Sequence, residues 1–179
     1  MKRGKLTIGF ITTTIFRLLK IFPNADPIMG FALTESKKGH PMRAFAFPFL
    51  NIILIDFLMG FLGIWTIVTS ITYGLIGAVF VPLVRNKKSS LVLYLSMSTI
   101  GVLAYDFITG VVMSTVMFSQ PFLVSLMGQI PFTLMHVFSA GLMCCVIVPF
   151  YDPVVMVEVK GYLSAIKQVI ISGVAMCQK

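Results

Sequence analysis

Charge is what this chain has least of. Only 11% of its 179 residues are Asp, Glu, Lys or Arg, and 58% are hydrophobic; a soluble domain carries roughly 25% charge. With a mean hydropathy of +0.97, the chain cannot clothe a water-facing surface, which excludes a soluble globular fold. Cysteine is scarce as well. Cys144 and Cys145 are adjacent and Cys177 is near the end, so the spacing supports neither a disulfide framework nor a thiolate metal site, and they read as packing residues. No His, Cys and Asp set has zinc spacing, and there is no Walker A run for ATP. The Gly-x-Gly-Asp of intramembrane aspartyl proteases and the Gly-x-Ser-Gly of rhomboid-type dyads are missing too. The expectation is a non-enzyme that carries no cofactor and no metal. No A-x-A-like site follows the first apolar run, so it does not read as a cleavable leader.

The few charges present are arranged. Of the 14 Lys and Arg residues, all but Arg17 and Lys20 fall in four clusters: Lys2/Arg3/Lys5, Lys37/Lys38/Arg43, Arg85/Lys87/Lys88 and Lys160/Lys167/Lys179. Loops on the cytoplasmic side of a membrane carry such an excess. The chain must leave that side and return between neighbouring clusters. The reading is therefore an all-α polytopic protein of the cell membrane, with six transmembrane helices and both termini cytoplasmic. Residues 1–150 form the bundle and 151–179 an interfacial cytoplasmic tail, whose polar residues recur at amphipathic spacing. The net charge of +8 belongs to juxtamembrane loops and anionic lipid, which leaves no nucleic-acid partner.

Helices are expected over about 6–22, 44–61, 64–84, 90–112 and 131–150. A segment near 28–36 is too short to span on length alone, although the basic cluster after it argues for a crossing. An apolar piece at 122–127 reads as lying along the interface. Asp56-Phe57-Leu58-Met59-Gly60 and Asp106-Phe107-Ile108-Thr109-Gly110 form a repeat. Each is read as a helix end followed by a returning helix that closes on Val-Pro, at Val81-Pro82 and Val148-Pro149.

Arg17, Lys20, Asp56 and Asp106 fall at one depth in the outer half of this layout. An unpaired charge at mid-membrane costs at least about 2.5–3.5 kcal/mol. The two aspartates, in last helical turns where the macrodipole disfavours them, are expected to use Arg17 and Lys20 as counter-ions. A shared wet cavity or a pair of pinning salt bridges would both fit. Trp65, Thr66 and Tyr73 on one helix, and Gln129, Phe132 and His136 on another, offer rings with hydrogen-bonding tips to the same region. Bland roles compete: an interface anchor for Trp65 and a helix–helix hydrogen bond for His136.

The run Gly63-Ile64-Trp65-Thr66 continuing to Tyr73-Gly74-Leu75-Ile76-Gly77 resembles a stretch in substrate-binding (S) components of energy-coupling factor transporters. There a Gly-Pro-Trp-Thr sequence opens a helix that reaches an aromatic-Gly-Leu-x-Gly. Pro23-Asn24-Ala25-Asp26-Pro27 is similar to their Pro-Asn-x-x-Pro loop, and Asp56 to Gly60 to their Asp-hydrophobic-x-x-Gly helix end. The resemblance covers about residues 6–150. It implies capture of a vitamin-type solute from outside, with Asn24 in the gating loop and uptake driven by a transmembrane coupling subunit and two ATPases. Three departures stand out, one being a segment after Phe150 longer than the family's. Ile64 replaces the usual Pro, and Gly9 and Thr13 stand in for the Ala-x-x-x-Ala that docks on the coupling subunit. Balanced pocket charge and aromatic content suit a ring-bearing solute such as a cobalamin, a pterin or a purine. The competing reading is a non-transporting scaffold, similar in size to rod-shape proteins of the MreD type, with its aspartates paired locally and no void.

Overall fold

The computed structural model describes residues 3–19 and 26–177, and every regular element among them is a helix. The helices are α1 (Arg3–Leu19), α2 (Pro27–Lys37), α3 (Pro41–Met59), α4 (Ile64–Val84), α5 (Leu91–Met117), α6 (Phe122–Tyr151) and α7 (Pro153–Cys177). Helices α3 to α6 are each long and apolar enough to cross a membrane, and α1 is a shorter apolar helix. Large apolar side chains coat the outside: Leu103 is 50% exposed, Leu134 67% and Phe138 70%. In water such a coat would aggregate, and in lipid it is solvated. The chain is an integral membrane protein.

Helix α2 is the centre of the bundle. Asp26 caps its N-terminus, accepting from Ile28 N and Met29 N, and Pro27 occupies the first turn, where its missing N–H is not needed. Every residue from Pro27 to Ser36 is buried: an apolar run to Leu33, then Thr34, Glu35 and Ser36, whose side chains are satisfied by Phe31 O, Lys38 and Ala32 O. Ile28, Met29 and Leu33 join Tyr73, Val102, Cys144 and Val148 in the core. At 1.5 Å per residue its 11 residues reach about 16 Å, half of a hydrocarbon layer of about 30 Å. It is a plug of re-entrant length.

Close approach of α3 to α4 depends on Gly77. A Cβ there would sit 2.2 Å from the Ala44 carbonyl oxygen, and the Ser36 hydroxyl of α2 donates to the Gly77 carbonyl at 2.7 Å. The α3–α4 turn closes on Gly60 in the left-handed region at φ 74°, with Phe61 N donating to Asp56 O, a C-terminal cap that favours glycine.

Two of the four basic clusters meet at one end of the bundle, where the first turns of α7 also pack. Lys37 Nζ donates to Val84 O at 2.9 Å and to Lys87 O, so α2 caps the end of α4. Lys38 stands 5.8 Å from the Tyr151 ring centre. Leu91 N donates to Glu158 at 2.8 Å, and Tyr94 donates to Asp152 at 2.9 Å. We call this the basic end and the opposite end the far end.

Two elements differ from expectation. α6 runs unbroken from Phe122 through Pro131, so 122–127 is its first turns and not a separate interfacial piece. A proline costs the helix one backbone bond and local bending without always ending it. α5 continues to Met117 through a π-helical turn at Phe107–Val112. The Asp106–Gly110 unit is therefore internal to its helix, whereas Asp56–Gly60 is a helix end. The repeat survives as equal depth, since each aspartate lies fifteen residues beyond the first residue of its helix, Pro41 or Leu91.

Candidate functional site in the far half

Asp106, at about 22 Å along α5 from the basic end, faces inward at the point where the helix widens into its π turn. Such turns add a residue to the helix and recur at functional sites. Across from it, His136 of α6 is buried. Its Nδ1 lies 2.8 Å from Asp106 Oδ1 and its Nε2 3.3 Å from Asp26 Oδ2. One imidazole thus bridges three helices, with Asp26 capping α2 through its other oxygen. A neutral ring has a single N–H. Two carboxylates facing two ring nitrogens require an extra proton, on the ring or on one acid, and either way the cluster carries a net charge of −1.

An aromatic wall adjoins it. The Tyr105 ring lies 6.0 Å from His136, edge to face, and 4.7 Å from the ring of Tyr73. The wall thus links the His136 cluster to the core ring of Tyr73 on α4.

Of the residues expected in the site, Tyr73, Asp106 and His136 are brought together here. Among the described residues neither aspartate pairs with Arg17. Asp106 uses His136, and Asp56 accepts from the Thr66 hydroxyl at 2.6 Å. Thr66 is thereby committed to holding the α3–α4 turn, where its oxygen also accepts from Gly63 N. Trp65 is 44% exposed and faces outward from the first turn of α4, away from the cluster. Phe132 is also 44% exposed, its ring 6.0 Å from that of His136, so it sits at the rim. Gln129 fills the space beside Gly110, where a Cβ would lie 2.1 Å from its Oε1, and its Nε2 donates to Thr133. Asn24 and Lys20 lie outside the described residues, as does most of the Pro23–Pro27 loop.

The expected docking pair on α1 is turned inward. A Cβ on Gly9 would meet Phe31 at 2.6 Å, and Thr13 is fully buried. Both serve packing within this chain, and a partner outside the bundle would meet Ile8, Ile11 and Ile15 instead. The residues that sequence reasoning missed are Asp26 and Tyr105. An Asp immediately before Pro at the start of an apolar run is an N-cap signature, and that signal was available for Asp26.

A groove of about 570 Å³ runs between α5 and α6, lined by Leu103, Phe107, Val111, Ile130 and Leu134 among others. Its walls are nearly all apolar and open to the lipid-facing side, so hydrocarbon chains suit it better than a polar solute. Among the described residues no group of three His, Cys, Asp or Glu could hold a metal ion. The Ser139 hydroxyl donates to the His136 carbonyl, an intrahelical bond that does not set it up as a nucleophile. Comparisons with protein-family models, curated proteins and solved structures found no match.

Proposed function

We propose that this chain is the substrate-capture subunit of an energy-coupling-factor-type importer. It binds a small vitamin-like solute from outside and relies on a separate coupling subunit and ATPases to complete uptake. In this reading the bundle crosses the cell membrane six times with both chain ends in the cytoplasm, and α7 lies on the inner surface. The observation that carries the reading is the buried Asp26–His136–Asp106 cluster beside the Tyr73–Tyr105 wall. Few structural demands justify so many ionisable groups in a chain with six acids in all and a lipid-facing coat. With the basic end taken as cytoplasmic, Asp56 and Asp106, each about 22 Å along its helix from that end, fall in the outer third of a membrane about 30 Å thick. Asp26, where α2 starts, would form the floor of a site that opens toward the outside.

The scaffold reading draws support from the Asp56–Thr66 bond, since local pairing is what a scaffold needs. The two readings separate in one experiment. The wild-type protein and His136→Ala are purified in mild detergent, and released small molecules are identified by mass spectrometry. A capture subunit yields a discrete solute with the wild type that is lost or reduced at least about tenfold in the variant, a difference of about 1.4 kcal/mol. A scaffold yields lipid alone from both.

A further inference from the structure

Among the described residues, two buried polar atoms of the far-half cluster have no hydrogen-bond partner: Asp106 Oδ2 and Tyr73 Oη. Both residues are 1% exposed. The other Asp106 oxygen is held by His136, so the bare oxygen belongs to a carboxyl already fixed in orientation. An acceptor left empty in an apolar interior forfeits its hydration without return, a cost larger than an ordinary hydrogen bond contributes. Tyr73 is one ring contact away from His136 through Tyr105, which puts the bare acceptor and the bare hydroxyl along one aromatic wall. Tyr105, beside this cluster, is partly exposed, as are Asp56 and Arg17.

Resting on the capture reading, we propose that the solute is a planar nitrogen heterocycle with an amino or ring N–H group, of the aminopyrimidine or aminopurine kind. Its N–H donates to Asp106 Oδ2, a ring acceptor takes the Tyr73 hydroxyl proton, and its face lies against Tyr105. A ring that carries both a donor and an acceptor is what these two leftover atoms complement. A ring bearing a carboxylate or phosphate is disfavoured, because it would meet a cluster whose net charge is already negative.

The test uses the full-length protein in phosphatidylcholine nanodiscs. Equilibrium binding is measured for adenine, guanine, cytosine and nicotinamide, with nicotinate and orotate as anionic counterparts, and copurified solute is identified in parallel. The expected result is binding of an amino-bearing probe, or a copurified solute of that class. Asp106→Asn should weaken binding by about tenfold, because a charge-assisted bond is replaced by a neutral one. Tyr73→Phe should weaken it by a smaller factor and leave the apparent Tm of the empty protein unchanged or higher, since it removes an unsatisfied group. Tighter binding of nicotinate or orotate, a copurified solute that carries no N–H group, or unchanged affinity in Asp106→Asn would overturn the proposal and leave the capture reading standing. No bound probe and no copurified solute would overturn both.

Discussion

Gly77 shows how much of this structure rests on single atoms. Its missing Cβ lets the Ala44 carbonyl approach to 2.2 Å of where that atom would be, and the obstacle is backbone, which cannot rotate aside. Gly77→Ala is therefore expected to lower stability by roughly 1–3 kcal/mol, the usual cost of overpacking, read as a fall in apparent Tm in detergent. Gly128→Ala is the control, because nothing lies within 4 Å of its added atom, and it should be neutral or slightly stabilising in a helix. Equal losses in both would contradict the packing described here. The same scale explains which site residues were legible. Asp56, Asp106 and His136 stand out because ionisable groups in an apolar chain must be buried for a reason. Their partners do not stand out, since pairing depends on helix rotation, which spacing alone leaves open. Gly9 and Thr13 failed for that reason: small residues at i and i+4 mark a close approach without saying which neighbour makes it, and the neighbour is Phe31 of the same chain.

At the level of elements, the long apolar helices could be read directly and the irregular ones could not. α4 and its boundaries, Ile64 to Val84, follow from an apolar run between a glycine turn and a basic cluster. α2 could be seen only as a short apolar segment. Its role as a plug, buried on every side, depends on five other helices. Pro131 suggested a boundary because proline usually ends a helix, yet the flanking turns of α6 continue through it. The π turn at Phe107–Val112 has no sequence signature here, but its neighbour offers a test. Gly110→Ala would drive a Cβ into the Gln129 side chain, which must then leave its bond to Thr133. The single change is expected to destabilise α5 against α6, and Gln129→Ala should recover most of the loss. The coupling in this double-mutant cycle should fall in the range of about 0.5–3 kcal/mol found for touching residues. Additive effects would mean that the turn is not held by this contact.

Across the whole molecule, two surfaces are differentiated. The basic end gathers Lys37, Lys38, Arg85, Lys87 and Glu158 around the C-terminal turns of α2, α4 and α6. The far half holds the three-helix cluster on His136. α7 leaves the basic end after Val155, and its residues 160–172 are exposed. Val159, Tyr162, Leu163, Ile166, Val169 and Ile170 form one apolar stripe along it, opposite Lys160, Ser164 and Lys167, a pattern that suits a helix lying on a membrane surface. Solute capture from outside requires the basic end to be cytoplasmic and the far half to face out. Single cysteines placed at Phe61, in the α3–α4 turn, and at Asn86, after α4, in a background with Cys144, Cys145 and Cys177 changed to Ser, report this directly. In intact cells a membrane-impermeant maleimide should label the cysteine at position 61, and the one at position 86 only after permeabilisation. Labelling of position 86 from outside, with position 61 protected, would turn the polar cluster toward the cytoplasm and contradict its role in capturing an external solute.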